Sequence, residues 1–294
     1  MENLSAIIVV KDNPKTLEKT IKSIYDLVKE IIIVDIGIDS LLTKKLEKNK
    51  KIKIIKIEKD IPYVELIREE TKKYAKTDYV LFLDPDEEIS ENLKKTIQEN
   101  YQKYDFIKIP RKNIIFGKWI AHSRWWPDYQ IRVFKKDKVV WSKILHSQPA
   151  FHGKGLTISP QENLAIIHYN YQNIDQYFQK FIRYAKSEAK YFLENKKPLT
   201  FQETVKKSIS EFFSRYFAFQ GYKDGIYGFI LAFLQMIYYF FVYFYYLEEK
   251  KFEANEKIAP DIFFIEGAKN SLFWKDKKSL KEKIMLKIFK IFNL

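Results

Sequence analysis

The stretch TDYVLFLDPDEEIS, residues 77–90, places a strongly apolar run directly before a cluster of acids. Its first part, YVLFL (79–83), has the composition of a strand that is buried on both faces of a sheet. Four carboxylates follow within five positions, at Asp84, Asp86, Glu87 and Glu88. The stretch therefore predicts a core strand that aims carboxylates at whatever lies beyond the end of the sheet.

Further apolar runs, and segments with the periodicity of helices, precede this strand in the sequence. The further predicted strands are SAIIVV (5–10), EIIIVD (30–35) and KIKIIKIE (51–58), and the predicted helices are NPKTLEKTIKSIYDLVK (13–29) and VELIREETKKYA (64–75). This order is typical of a doubly wound, Rossmann-like α/β sheet. Ligands of such sheets bind at the carboxyl ends of the strands, where Asp12, Asp35 and Asp84 all fall.

The rest of the chain divides into an extension of this domain and a helical region. The predicted elements are a helix at 91–103, a strand at 105–116, an irregular segment at 117–170 and an amphipathic helix at 173–195. We therefore expect one α/β domain over residues 1–170 and a helical extension over residues 171–294.

Composition narrows the possible functions of this 294-residue chain. It contains no cysteine, which excludes disulfides, thiolate metal sites and cysteine nucleophiles. The N-terminus lacks a basic segment and a small-residue cleavage site, so we expect no signal peptide and a cytoplasmic location. The net charge of +14 predicts an anionic partner, unless the lysines form only a diffuse solvated coat.

Two segments near the C-terminus indicate contact with a membrane. The segment IYGFILAFLQMIYYFFVYFYYL (226–247) contains no charged residue and is long enough to cross a bilayer. Its six tyrosines favour the headgroup region instead, and a helix buried in a large domain is a third interpretation. The basic amphipathic segment SLKEKIMLKIFKIFNL (279–294) is typical of helices that lie on anionic membranes. Together they predict peripheral or interfacial attachment to the cytoplasmic face of a membrane.

The spacing of Asp84 and Asp86 is one that a divalent cation can use. Alternate residues of an extended segment share a side, so both carboxylates can face one ion. Their hard oxygen ligands suit Mg²⁺ or Mn²⁺, particularly an ion that also binds a diphosphate. The alternative is a solvated acidic turn. Placement after a buried strand, among other strands that end in Asp, favours the metal site.

Several stretches resemble a known enzyme family. SAIIVVKDN (5–13), EIIIVD and YVLFLDPDEEI (79–89) are similar to the nucleotide-sugar-binding half of the family-2 glycosyltransferases, which have the GT-A fold. RWWPDYQIRVFKK (124–136), VVWSKILHS (139–147), LAIIHYNY (164–171) and YKDGIYGF (222–229) resemble the bacterial subgroup that adds sugars to lipopolysaccharide core or related glycolipids. The resemblance covers about residues 4–240.

The resemblance implies inverting transfer of a sugar from a nucleotide-diphosphate donor, expected to be a UDP-sugar, to a hydroxyl of a lipid-linked or cell-envelope glycan. The implied donor-binding residues are Asp12, Asp35, Asp84, Arg68 and Arg124, and the implied metal ligands are Asp84, Asp86 and His146. The metal, Mn²⁺ or Mg²⁺, would neutralise the charge that develops on the leaving diphosphate. His168 is an alternative to His146, and a structural role is the alternative for both.

Further site residues are expected in the Trp-rich segment. Asp128 is the candidate base that accepts the proton of the attacking hydroxyl. The alternative for Asp128 is a helix cap or an ion pair with Arg132. Trp125 and Trp126 offer flat faces for stacking on sugar rings, although a place in the core explains each of them equally well.

Three departures from the family pattern bear on activity. Asp39 is displaced by one residue from the further Asp that usually follows the second strand, and Arg68 is followed by Glu69 rather than Asn. Ser147 stands where a Glu usually follows the histidine of His146. A catalytically inactive relative that binds sugar nucleotides or glycans is therefore the alternative to an active transferase.

A nucleic-acid partner is not expected. Proteins that bind nucleic acid interleave basic and aromatic residues on one surface. In this chain the aromatic residues, 17% of the total, concentrate in apolar runs instead.

Overall fold

The computed structural model describes residues 2–58, 61, 64–142, 148–253, 258–275 and 278–291. The chain forms two compact units: Met1–Ile114 with Pro127–Asn170, and Ile115–Trp126 with Tyr171–Leu294. The first unit contains the central sheet and the second contains the long helices. The segment Ile115–Trp126, which was expected in the first domain, belongs to the second unit.

The described strands and helices follow one another along both units. The strands are β1 Leu4–Val10, β2 Glu30–Asp35, β3 Ile52–Lys56, β4 Tyr79–Leu83, β5 Glu87–Ile89, β6 Phe106–Ile109, β7 Arg111–Ile115, β8 Lys118–Trp119, β9 Gln130–Lys135, β10 Val139–Val140, β11 Ala150–Phe151, β12 Gly155–Thr157 and β13 Ile166–Tyr171. The helices are α1 Leu17–Ile24, α2 Ser40–Glu47, α3 Glu65–Thr71, α4 Glu91–Asn100, α5 Ile174–Glu194, α6 Phe201–Phe213, α7 Ile226–Glu249, α8 Ile262–Phe273 and α9 Leu280–Ile291. Helices α1 to α4 belong to the first unit and α5 to α9 to the second.

The central sheet of the first unit is mixed, with the strand order β12-β6-β9-β4-β1-β2-β3. Strands β3, β2, β1 and β4 are parallel, whereas β9 runs antiparallel to both β4 and β6. The predicted α/β sheet is confirmed, and β9 is the strand that makes it mixed. Because Val10 pairs with Asp35, and Ile8 with Leu83, the carboxyl ends of β1, β2 and β4 meet at one edge.

Apolar side chains cover both faces of this sheet. All seven residues of β1 are buried, and alternate residues face two separate cores. The first core includes α1 and α4, and the second includes α3 and β9. Burial on both faces explains why the strands are continuous apolar runs. It also leaves the strand ends as the place where polar groups can project.

Helix α2 was not predicted, although a capping signal precedes it. Oδ1 of Asp39 accepts a hydrogen bond from the backbone N–H of Leu42 at 2.7 Å and so caps the helix. The other carboxylate oxygen of Asp39 accepts from the side chain of Asn13. The displaced Asp39 therefore starts α2 and ties the loop after β1 to the loop after β2.

The second unit is built around α5, α6 and α7. One face of α7 is buried: Leu231 and Leu234 lie in a cluster with Phe181 of α5, and Val242 lies in a cluster with Ala185. Among the described residues, α7 is the one helix long and apolar enough to cross a bilayer, and 33% of its most apolar window is buried. Helix α7 is therefore a core helix on one side and exposed on the other.

The segment 115–126 is fastened to this unit by Asp224. The buried carboxylate of Asp224 accepts hydrogen bonds from the backbone N–H of His122 at 2.9 Å and of Ala121 at 3.3 Å. Nδ1 of His122 lies 3.0 Å from the same carboxylate, and Nζ of Lys118 donates to the backbone oxygen of Asp224 at 3.2 Å. These contacts explain why the segment belongs to the second unit.

Two glycines of this unit should respond oppositely to the same substitution. A Cβ at Gly228 would lie 1.8 Å from the carbonyl oxygen of Gly221, whereas a Cβ at Gly267 would meet nothing within 4 Å. We expect Gly228→Ala to destabilise the protein by roughly 1–3 kcal/mol through overpacking. Gly267→Ala should stabilise it by roughly 0.5–1 kcal/mol, because glycine in a helix has the larger entropy to lose. Thermal unfolding followed by circular dichroism measures both, and shifts of the same sign would contradict this packing.

Candidate active site

The acidic stretch after β4 forms a tight turn. The backbone oxygen of Asp84 accepts a hydrogen bond from the N–H of Glu87 at 3.0 Å, which closes a β-turn through Pro85 and Asp86. The prediction that this stretch is extended is wrong, because the proline and the turn hydrogen bond bend the chain. The turn directs Asp84 and Asp86 to different partners.

Asp84 is held by two arginines. Its Oδ1 accepts from Nη2 of Arg68 at 2.9 Å, and its Oδ2 accepts from Nη2 of Arg132 at 2.5 Å. The guanidinium carbon of Arg68 lies 4.8 Å from the ring centroid of Trp141. Asp84 therefore positions both arginines, and its role as a metal ligand stays a prediction.

Glu87 extends this network into the protein interior. Its side chain is fully buried, and Oε1 accepts from Arg132 at 2.5 Å and from Arg111 at 3.1 Å. Arg132, only 1% exposed, supplies the charge that a buried carboxylate requires. No separate role was predicted for Glu87 from the sequence. Successive residues of a strand point to opposite sides, so one of Glu87 and Glu88 had to face the interior, and this is the signal that could have identified Glu87.

Asp128 lies at the other end of the same network. Its Oδ2 accepts from Nε and Nη2 of Arg111, at 2.8 and 2.5 Å, and from Nδ2 of Asn113 at 3.2 Å. Its Oδ1 accepts from Nε2 of Gln130 at 2.8 Å. The alternative interpretation, an ion pair of Asp128 with Arg132, is wrong because Arg111 takes that place. Oδ1 carries fewer of these hydrogen bonds, so it is the better placed oxygen to accept a proton.

The arginines lower the pKa values of both aspartates. Burial by itself raises the pKa of Asp84, but the charges of Arg132 and Arg68 lower it by more. Burial also raises the pKa of Asp128, and the charge and hydrogen bonds of Arg111 outweigh that effect. Both carboxylates are therefore ionised throughout the neutral range.

These lowered pKa values predict how stability depends on pH. A carboxylate with a depressed folded pKa stabilises the fold above its unfolded pKa, about 3.9 for Asp, and this contribution is lost as the pH falls through the folded pKa. We expect the free energy of unfolding to decrease as the pH is lowered below about 4. Asp128→Asn should reduce that fall, because one of the responsible groups is gone. Urea unfolding at several acidic pH values tests this, and an unchanged acid dependence in the variant would contradict it.

His168 faces Asp86 across 3.6 Å, measured from Nε2 to Oδ1. Its Nδ1 lies 2.7 Å from Oδ1 of Asn113. Because the amide nitrogen of Asn113 donates to Asp128, the amide oxygen accepts, and the proton of neutral His168 lies on Nδ1. Nε2 then presents a lone pair to the carboxylate of Asp86. Two facing acceptors are stable when a proton or a metal cation lies between them.

The Asp86–His168 pair fits a divalent cation that also binds a diphosphate. Carboxylate oxygen and neutral imidazole nitrogen both suit Mn²⁺, and such ions often take further ligands from substrate phosphates and water. No group of three or more Asp, Glu or His residues that could hold a metal ion occurs in the part of the chain that the structure describes. The predicted ligand His146, like Ser147, lies outside those residues.

Asp35 and Asp12 lie at the same edge of the sheet. Oδ1 of buried Asp35 accepts hydrogen bonds from the backbone N–H of Gly37 at 2.9 Å and of Ile38 at 2.8 Å. Asp12, with a φ of 60°, donates its backbone N–H to the carbonyl of Gly37 at 2.9 Å. The structure thus joins the two loops that carry these predicted donor-binding residues.

The predicted residues Arg124, Trp125 and Trp126 belong to the second unit. The guanidinium of Arg124 donates to the carboxylate of Glu211 at 3.2 Å and to the hydroxyl of Ser214, and it lies over the ring of Phe219. Trp125 packs in an apolar cluster, and Trp126 meets Trp119 edge to face at 5.5 Å. Arg124 and Trp125 therefore have structural partners within their own unit.

Asp12, Asp35 and Asp84 lie at or just beyond the carboxyl ends of three adjacent parallel strands, which is where α/β sheets of this class bind their ligands. Residues 5–153, just over half of the chain, match the family described as "Glycosyl transferase family 2". The chain belongs to this family and is a glycosyltransferase enzyme. Members of the family transfer a sugar from a nucleotide-sugar donor, commonly with a divalent metal.

Solved structures of S. aureus TarS are similar to this chain. One TarS structure is 14% identical, with a TM-score of 0.38, over 64% of this chain and 40% of that chain. TarS 1–349 in complex with UDP-GlcNAc is 14% identical, with a TM-score of 0.46, over 95% of this chain and 94% of that chain. A second structure of TarS 1–349 is 13% identical, with a TM-score of 0.40, over 92% of this chain and 80% of that chain. The chain thus spans less than half of the longest of these TarS chains.

Proposed function

We propose that this enzyme is an inverting glycosyltransferase that moves a sugar from a UDP-sugar to a hydroxyl of a lipid-linked or cell-envelope glycan, of the lipopolysaccharide-core type. The nucleoside would bind along the edge formed by Asp12 and Asp35. Arg68 would lie close to the donor phosphates, because Asp84 holds it at the adjacent strand end. Family membership supports the donor class, and the resemblance of four later motifs supports the acceptor class.

The pair of Asp86 and His168 is the observation that carries the metal assignment. Its two facing acceptor atoms, 3.6 Å apart, suit a shared cation better than a direct hydrogen bond. The ion, Mn²⁺ or Mg²⁺, would neutralise charge on the leaving diphosphate. Asn113 holds the imidazole in the tautomer that this role requires.

Asp128 is the proposed base for the acceptor hydroxyl. Its lowered pKa makes it a weaker base, but it keeps the carboxylate ionised and ready to accept a proton at neutral pH. Arg111 would stabilise the ionised form before transfer. This assignment predicts transfer activity that stays constant through the neutral range and declines only in acid.

Membrane attachment on the cytoplasmic face is part of the proposal. Helix α9 exposes Leu280, Ile284 and Ile288 on a lysine-rich segment, which supports a surface-lying helix. Flotation of the protein with anionic liposomes, with and without residues 279–294, tests the contribution of this tail. Equal flotation of both forms would reject it.

A donor screen by mass spectrometry tests the enzymatic proposal. The protein would be incubated with Mn²⁺ and a panel of UDP-, GDP-, ADP- and dTDP-sugars, followed by a panel of glycolipid acceptors. We expect release of the nucleoside diphosphate from one UDP-sugar and transfer of its sugar to a glycolipid. Turnover with a donor of another base alone would overturn the UDP assignment.

The second candidate function is sugar-nucleotide or glycan binding without catalysis. Ser147 in the usual position of Glu is the observation that favours it. Tight binding of UDP-sugars without turnover on the whole acceptor panel would establish this alternative.

A further inference from the structure

The second unit exposes a continuous aromatic surface, here called the aromatic ridge, formed by Phe217, Tyr222, Phe229 and Phe233. These side chains are between 39% and 47% exposed. The ring of Tyr216 lies 5.1 Å from Phe217, 6.3 Å from Tyr222 and 5.8 Å from Phe229. Phe229 in turn stacks on Phe233 at 6.0 Å. The exposed rings therefore form one patch, of the kind that marks a binding surface.

The fold itself turns these rings outward. A π-helical turn, Ser214–Ala218, follows α6 and carries Phe217. At the start of α7, Ile226, Phe229 and Phe233 are exposed at the spacing of one helix face. Leu231 on another face of α7 is buried. The exposure is thus fixed by the packing of α7 and is continuous with the turn before it.

The charge around the ridge favours an anionic partner. The second unit contains 23 Lys and Arg residues and 14 Asp and Glu residues, so it carries +9 of the total net charge of +14. The exposed Lys223 follows Tyr222 directly, and the guanidinium of Arg124 lies 4.5 Å from the ring centroid of Phe219, which is itself 45% exposed. Two copies of so positive a unit would repel each other, which disfavours a second copy as the occupant.

We propose that the aromatic ridge enters the headgroup layer of an anionic membrane, so that α7 lies along the bilayer surface and does not cross it. Tyrosine rings prefer headgroup depth, and phenylalanine side chains form the apolar face of helices that lie in the interface. The surrounding cations attract anionic lipid phosphates. The proposal rests on the membrane attachment proposed above and adds the surface that makes the contact. That surface includes Phe217 and Tyr222, which precede the predicted membrane segment.

The absence of cysteine from the sequence allows a direct test. A single cysteine at Phe229→Cys, labelled with the polarity-sensitive dye NBD, reports on the ridge in the full chain. Leu41→Cys, at a residue 77% exposed in the first unit, is the matched control. With vesicles of phosphatidylcholine and phosphatidylglycerol, we expect a blue shift and stronger emission from the label at 229 and no change at 41.

Flotation of the unlabelled protein distinguishes failure of the ridge proposal from failure of membrane attachment itself. If the protein floats with these vesicles but the label at 229 does not respond, the aromatic ridge does not enter the membrane, although the protein still attaches to it. If the protein does not float at all, attachment itself fails together with the ridge. An equal response to pure phosphatidylcholine, or a response without vesicles that grows with protein concentration, would overturn the anionic membrane as the partner.

Discussion

Asp86→Asn should lower kcat/KM for sugar transfer by about 10²–10³-fold, the usual loss when one charge-stabilising group is removed. The variant keeps the size of the side chain and the backbone carbonyl that accepts from Tyr169 at 2.9 Å. It removes the negative oxygen that faces His168. The loss should therefore fall on the metal-dependent step, and the dependence of rate on Mn²⁺ should weaken with it.

Glu88→Gln is the matched control for this substitution. Glu88 lies two residues further along, and its carboxylate accepts a hydrogen bond from the hydroxyl of Tyr169 at 2.9 Å. Loss of its charge should leave kcat/KM and the Mn²⁺ dependence nearly unchanged. A full loss in the control, or full activity in Asp86→Asn, would remove the proposed role of Asp86.

Arg132→Met should produce the largest loss of stability. The guanidinium is 1% exposed and donates to both Asp84 and Glu87 at 2.5 Å. Its removal leaves the fully buried carboxylate of Glu87 and the part-buried carboxylate of Asp84 without their main cation, which costs about 3–5 kcal/mol. In a unit of this size that loss corresponds to a fall in Tm of roughly 6–20 °C.

A second substitution separates loss of charge balance from loss of packing. In Arg132→Met/Glu87→Gln the fully buried carboxylate is neutral, so the penalty for an unpaired charge is smaller. The double variant should therefore melt above the single variant. Lys135→Met, in the same strand, should change Tm little. A double variant that melts below Arg132→Met would contradict the electrostatic account.

The parallel part of the sheet was predictable from sequence because its strands are buried on both faces. Runs such as EIIIVD leave no alternating pattern, and β2 begins and ends at the predicted residues. The antiparallel strand β9, QIRVFK, was not predicted: residues 117–170 were expected to be irregular, but β9 lies in the sheet between β4 and β6. The unpredicted helices α6 and α8 lack the uniform apolar character of α7: α6 packs on α7, and α8 packs on α6.

The sequence predicts which site residues lie at the strand ends, but it does not predict their hydrogen-bond and ion-pair partners. Asp12, Asp35 and Asp84 follow directly from where the apolar runs stop. The pairing of Arg111 with Asp128, and of Arg132 with Asp84 and Glu87, depends on tertiary contacts across 15 or more residues. His168 could be suggested as a ligand, but its position beside Asp86 results from the pairing of β13 with β5.

Titration of UDP into the protein by calorimetry, with and without Mn²⁺, tests most directly whether Asp86 and His168 hold a cation against a diphosphate. For the wild type, Mn²⁺ should tighten the binding of UDP. For Asp86→Asn and His168→Gln, the Kd for UDP should be the same with and without Mn²⁺. If Mn²⁺ tightens UDP binding to both variants as much as to the wild type, the cation is held elsewhere and the account is wrong.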